Sequence, residues 1–350
     1  MNKIDKIFCM SHYMAFRFVK DENMNFFKGL KHKTYHPKNN NELYKIYTID
    51  DIEKTIKEQI RNFYIPNKTA LLLSGGIDSA ILASYLPEKT KVFTFKCIAD
   101  GSIDETEQAS KYAKQYNLEH EIIEMYWEDF EELTPEILKY NQAPFHSIEV
   151  QLVKASKIAK KQGIEKIIVG DGADYVFGGM DKLLSKDWDF DSFIKRYNSI
   201  EPSFILKQYI DVVDVYEPYK LPNNKIDFLA FMKDIMDVES YTSYMHAFEK
   251  ENIDYLDPYS LMTMANPLNL ERIRNGEPKY LIRELFAKRY PNIKIPTKIP
   301  MPRSTEQWLK NYKPIRDEFI THNIEKLTGD QKWLVYCLET FLNMHDKGEL

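Results

Sequence analysis

The sequence predicts an α/β fold: a doubly wound parallel sheet followed by a mostly helical C-terminal part. Three observations carry this expectation. The apolar run Leu71-Leu72-Leu73 passes straight into Ser74-Gly75-Gly76-Ile77-Asp78-Ser79 and then into a helical pattern. Strand-like and helix-like segments alternate from there to residue 170, the signature of parallel strands joined by crossover helices. A second apolar strand, Lys166-Ile167-Ile168-Val169-Gly170, ends in another glycine-rich acidic turn, Asp171-Gly172-Ala173-Asp174.

Residues 1–47 hold two short strand-like runs, 13–19 and 26–30, before the polar stretch 37–42. That is too little apolar material for an independent core. Thr48, with Asp51 three residues on, then forms a helix start, and Ile49, Ile52, Ile56, Ile60 and Phe63 recur at helical spacing. After the 71–73 strand come a helix over 77–86, a strand over 91–96, a helix over 104–116, a strand over 119–125, helices to 161 and a strand over 166–170. Beyond about residue 184 the strand signals vanish, and helices with loops at 218–224 and 291–302 fill the remainder. The division expected is a short N-terminal segment, 1–47, and one unit over 48–350, with its α/β core at about 66–184 and its helical part at about 185–350.

The composition bounds the function. The 350 residues are 43% hydrophobic and 29% charged, ordinary globular material. No run approaches the ~18 apolar residues of a membrane span, and MNKIDKIFCM has no signal-peptide architecture, so a cytoplasmic, membrane-free protein is expected. Cys9, Cys97 and Cys337 are odd in number and widely separated, which points to buried small side chains rather than a disulfide framework or zinc site. A net charge of −5 with both signs interspersed leaves no basic footprint for a nucleic-acid partner.

The first glycine-rich turn reads as a pyrophosphate-binding loop. Its two glycines let the backbone turn with φ > 0 and approach a ligand, and the following N–H groups point at an anion. It lacks the Gly-Lys-Ser/Thr of a Walker loop. A loop that grips the β,γ-diphosphate as leaving group implies attack at the α-phosphate, with AMP and pyrophosphate as products. In a doubly wound sheet, ligands bind beyond the C-terminal strand ends at the topological switch point. If the two strands flank that point, Asp78 and Asp174 face each other across the phosphates, where two carboxylates suit Mg²⁺.

These segments together resemble the synthetase domain of the asparagine synthetase family, an N-type ATP pyrophosphatase of the adenine nucleotide alpha hydrolase-like fold. Ser74-Gly75-Gly76-Ile77-Asp78-Ser79 is similar to its pyrophosphate loop, and Gly170-Asp171-Gly172-Ala173-Asp174 with Phe177-Gly178-Gly179 to its second signature. Asp104-Glu105, Lys279-Tyr280-Leu281-Ile282-Arg283-Glu284 and Lys298 leading to Trp308-Leu309 match in the same order, and residues 13–37 resemble the last strands of the family's glutaminase domain. The resemblance implies ATP and Mg²⁺ as cofactors, with Asp78 and Asp174 holding the metal. Ser74, Gly75, Gly76, Asp78 and Ser79 would bind the pyrophosphate, and main-chain groups of Leu72, Cys97 and Gly170 the adenosine. A carboxylate, aspartate or a related acid, becomes an acyl-adenylate that an amine then attacks. Lys298 and Lys279 correspond to lysines that contact the pyrophosphate and the developing negative charge. Asp171 corresponds to an acid that accepts a proton from the amine or positions it, and residues 142–147 to the acyl-substrate site, where His146 read by itself is a structural histidine.

The chain also departs from the family. Asn2 stands where glutamine-hydrolysing members carry a catalytic cysteine, so the nitrogen is expected from ammonia, an amine or a separate glutaminase. Asp171 replaces a glutamate, Tyr175 replaces an acid, and Ile299-Pro300-Met301-Pro302 replaces a Gly-Phe sequence, which leaves the acceptor open. A homodimer is compatible with the resemblance. Two other readings stand beside the ligase: a pyrophosphate-loop enzyme acting on tRNA, and a non-catalytic nucleotide-binding module.

Overall fold

The computed structural model describes residues 3–180, 182–297, 299 and 301–350. Its centre is a five-stranded sheet of β1 (Thr69–Leu72), β2 (Lys91–Cys97), β3 (Glu119–Met125), β4 (Lys166–Ile168) and β5 (Asp254–Leu256), in the order β5-β4-β1-β2-β3. Every neighbouring pair is parallel, and Ala70 stands opposite Lys91 on one side and Ile167 on the other. The chain steps outward from β1 to β3 and then returns to the far side of β1, so the switch point falls between β1 and β4. The fold class expected from the sequence is the one observed.

Ten of the α-helices among the described residues frame the sheet and its edge: α1 (Lys6–Phe16), α2 (Ile49–Phe63), α3 (Ile77–Ala83), α4 (Thr106–Gln115), α5 (Trp127–Asn141), α6 (Ile148–Lys161), α7 (Ala173–Val176), α8 (Asp237–Glu251), α9 (Tyr280–Arg289) and α10 (Gly329–Asp346). Successive strand residues point to opposite faces. Accordingly Leu71, Val92 and Ile168 pack with α2, α3, α4 and α9, while Ala70, Phe93 and Ile167 pack with α5, α6, α8 and α10. Burial on both faces is why these strands read as continuous apolar runs. A third cluster, centred on Phe193, Tyr216 and Phe231, lies under the segment after residue 183.

Thr48 caps α2 through a reciprocal pair with Asp51, and Ile52, Ile56 and Ile60 are its buried face. The N-terminal segment differs from its reading. The 13–19 run lies largely in α1 rather than a strand, with Asp5 capping the helix by accepting from the Phe8 N–H. Residues 9–16 are all buried, and a short run buried on every side carries no periodicity that separates strand from helix. Of the second run, only the adjoining Met24–Asn25 pairs as a strand, with Lys3–Ile4. The other difference is β5, in the region read as devoid of strands. It is an edge strand of three residues, with Asp254 exposed and Tyr255 and Leu256 half-buried, too short to show a period. The three cysteines are buried and unbridged. Among the described residues no helix is long and apolar enough to cross a membrane.

Candidate active site at the switch point

β1 delivers the Ser74–Ser79 turn to the C-terminal edge of the sheet, where the turn is tied to itself. Ser79 Oγ accepts from the Ser74 N–H at 2.9 Å and pairs with Ser74 Oγ at 2.9 Å, and the Gly76 N–H donates to Ser74 Oγ at 3.1 Å. Tyr112 Oη donates to the Gly75 carbonyl at 3.2 Å. Neither glycine has a positive φ, contrary to expectation; Gly76 sits at φ −80°. What demands glycine at position 75 is proximity, because a Cβ there would stand 2.9 Å from Glu105 Cβ.

On the adjacent strand, β4 leads into Gly170 and Asp171 and then α7. The Gly172 N–H donates to Asp257 at 2.7 Å, and Tyr241 Oη donates to the same carboxylate at 2.8 Å. Asp171 accepts from Ser240 Oγ at 2.5 Å. Burial, augmented by Asp257, Asp174 and Asp237, pushes the Asp171 carboxyl up to about 8 against the pull of the Ser240 hydrogen bond. Gly179 closes over Asp174: its N–H donates to the Asp174 carbonyl at 2.8 Å, and a Cβ there would overlap the Asp174 carboxylate.

The two turns meet through Lys279. Its ammonium lies 2.6 Å from Asp78 Oδ2 and 2.8 Å from Asp174 Oδ1. Burial alone would depress this lysine, but the two carboxylates outweigh it and hold the ammonium above its ordinary value. Lys279 has a left-handed backbone, φ 52°, just before α9, a conformation that costs about 1 kcal/mol in a residue other than glycine. The expectation that Asp78 and Asp174 converge is met, and a cation sits between them.

These groups line a cavity of about 240 Å³ that also takes in Leu72, Ser74, Gly76, Ser79, Gly170 and Asp171, with Phe93, Phe95 and Met301 as its apolar wall. Two expected residues stand outside its lining. The Gly75 N–H is already engaged by Glu105 Oε2 at 2.9 Å. Cys97, at the end of β2, turns its thiol to the Pro302 carbonyl at 3.2 Å, where Gln151 Nε2 also donates at 2.7 Å. Lys298 lies outside the described residues, although Thr297 and Ile299 on either side of it line the cavity. No residue of 142–147 lines it. His146 is partly buried, 3.3 Å from Glu239, and its withdrawal from water first of all lowers its pKa.

Glu105 and Arg283 also line the cavity and were given no role from sequence. Burial pushes the Glu105 carboxyl up to about 7. Its signal was its place just beyond β2, at a strand end where such sheets bind ligands. Arg283 lies four residues after Lys279, hence on the same helical face. The donor set fits magnesium: two partly buried carboxylates, 18% and 25% exposed, on facing turns, with the remaining coordination left to phosphate oxygens and water.

The sequence pattern of the family described as asparagine synthase matches residues 54–248. Glutamine-hydrolyzing asparagine synthetase 2 of Bacillus subtilis (strain 168) is 27% identical over 199 residues, 53% of this chain and 25% of that protein. A putative glutamine-hydrolyzing asparagine synthetase 2 of Methanocaldococcus jannaschii is 28% identical over 168 residues, 46% of this chain and 30% of that protein. The chain thus matches a quarter to a third of the length of these relatives. Among solved structures, NMN synthetase from Francisella tularensis aligns with 73% of this chain and 99% of its own, at 14% identity and a TM-score of 0.27. With the family pattern running from within α2 to within α8, across both turns of the site and more than half of the chain, this protein belongs to the asparagine synthase family.

Proposed function

We propose that the protein is an ATP-dependent, AMP- and pyrophosphate-forming ligase that activates a small carboxylate, aspartate or a related acid, and joins it to ammonia or an amine. The observation that carries this reading is the convergence of Asp78, Asp174 and Lys279 on the pyrophosphate-type turn, at the one place where an open parallel sheet binds ligands.

Each group has a task in that reaction. Leu72, Phe93, Phe95 and Met301 offer an apolar wall to the base, and the peptide groups of Leu72, Gly170 and Cys97 lie at three adjacent strand ends. The Ser74–Ser79 turn holds the β,γ-diphosphate. Asp78 and Asp174 would hold Mg²⁺, which neutralises phosphate charge when bound. A carboxylate oxygen bonds to the α-phosphorus as pyrophosphate departs. Lys279, and Lys298 from its loop, stabilise the charge that collects on the leaving group; fixed charges of this kind account for roughly 3–4 kcal/mol of barrier. The amine nitrogen then bonds to the acyl carbon, AMP leaves, and Asp171 takes the released proton, a carboxylate being most effective as base when its pKa is near the working pH. The nitrogen would arrive as ammonia, free or from a separate glutaminase, or as an amine.

Pyrophosphate exchange into ATP, with magnesium and a panel of acids headed by aspartate, tests the reading. Exchange that depends on one acid, followed by amide formation on adding ammonium or an amine, is expected. Binding of Mg-ATP with no exchange from any acid would favour a nucleotide-binding module instead.

A further inference from the structure

On the other side of Asp174 lies a second cavity, of about 220 Å³. It exceeds the ~150 Å³ cavity that suffices for a benzene ring. Its walls are mostly apolar, Leu43, Val176, Leu229, Met232, Met262 and Leu268 among them. The rings of Tyr35 and Tyr241, centroids 5.0 Å apart, form one side. Into this lining the first turn of α8 brings Asp237, whose Oδ1 is buried and, among the described residues, accepts no hydrogen bond. Burial, with Asp257 adding to it, pushes that carboxyl up to about 7.

A carboxylate largely withdrawn from water costs free energy that a ligand N–H meeting its cavity-facing side recovers, most of all a cationic one. Aromatic faces beside it act in the same direction. Asp174 lines both cavities, so a molecule seated in the second reaches the wall of the first. Three residues along the same face of α8, Ser240 grips Asp171. Lys38 and Lys233, both exposed, also stand at the second cavity, and Lys233, four residues before Asp237, draws that carboxyl's pKa down against the effect of burial.

We infer that this second cavity is the nitrogen-donor pocket of the active site, shaped for a primary amine on an apolar chain whose ammonium pairs with Asp237. The inference rests on the ligase reading and narrows its nitrogen source, since free ammonia has no use for an apolar chamber of this size.

Calorimetry on the full chain tests it, with hexylamine and hexanol as probes and Mg-ATP as the control ligand. Hexylamine should bind at least about ten-fold more tightly than hexanol. Asp237→Asn should erase the preference for amine over alcohol, and Leu268→Trp should abolish binding of both, while each variant still binds Mg-ATP. Equal binding of hexylamine and hexanol by the unaltered protein overturns the inference without recourse to any variant. So does an undiminished amine preference in an Asp237→Asn protein that binds Mg-ATP. Amine preference without acid-dependent pyrophosphate exchange removes the ligase reading and leaves an amine site; exchange without amine preference does the reverse.

Discussion

Lys279 is the residue on which the site turns. Its ammonium lies between two carboxylates that would otherwise repel, and its left-handed backbone is held in place by that pairing. Lys279→Met should therefore have two separable effects. Amide formation should fall by roughly 10²–10³-fold, as expected when a preorganised charge is lost. Added Mg²⁺ should raise the melting temperature of the variant more than that of the unaltered protein, because the ion then relieves the exposed repulsion. Scanning calorimetry with and without magnesium reads the second effect; a magnesium response like that of the unaltered protein would count against this account of the pairing. Asp78, Asp174 and Lys279 are legible in the sequence as residues, and so is the facing of the two aspartates, but the place of Lys279 between them is not. The lysine is 201 residues from Asp78 along the chain, and no local pattern reports a contact at that distance. The sequence places Glu105 in a matching segment but gives it no role for a related reason: only the folded loop shows its carboxylate on the Gly75 N–H.

At the scale of elements, the segment around Lys298 is fixed at its C-terminal side by contacts from three others. Cys97 of β2 and Gln151 of α6 hold the Pro302 carbonyl, and Asp330 of α10 takes a two-pronged bond from Arg303 at 3.1 and 2.8 Å and a third from Thr305 at 2.8 Å. Burial opposes ionisation of Asp330, yet Arg303 overcomes it and holds the carboxyl well below the usual range. Asp330→Asn should release this anchor. Amide hydrogens of residues 301–305 should exchange faster, and the KM for ATP should rise several-fold with the overall fold retained; unchanged exchange would show that Pro302 alone suffices. The sequence shows the prolines of this loop but not its tethers. Element type was legible where one face repeats, as in α2, and misleading in α1, where burial on every side removes the period.

Across the molecule, the N-terminal and C-terminal segments are built into one core. α1 places Cys9, Met10, Tyr13 and Met14 in the cluster that holds Phe93 of the sheet and Trp333 of α10, and Tyr13 Oη and Trp333 Nε1 share the Phe145 carbonyl. Glu318 joins the same regions: Arg316 donates to both its oxygens, at 2.9 and 3.0 Å, and Lys6 of α1 lies 2.6 Å away. The Arg316 bonds come first among the causes that bring its pKa down to about 2. A carboxyl depressed on folding contributes stability that is fully present above its unfolded value and fades as pH falls through the folded one. Glu318→Gln should thus cost about 1 kcal/mol near neutral pH, and the difference should vanish as the pH approaches about 2. Urea melts at the two pH values check this, and a cost independent of pH would assign the effect to packing instead.

By itself the sequence determined the parallel α/β architecture, the turn that ends β1, the acidic turn that ends β4, and hence the edge of the sheet at which chemistry is expected. These are local properties: apolar runs, glycine next to strand ends, and periodicity over a few turns of helix. Tertiary structure decided what local pattern does not encode. It brought Lys279 between the two aspartates, set β5 against β4 through three unremarkable residues, folded the first run into a buried helix, and left Asp237 facing a chamber behind Asp174. Each of these depends on which distant surfaces close-pack, and that is fixed by the burial of the whole chain rather than by the order of neighbours along it.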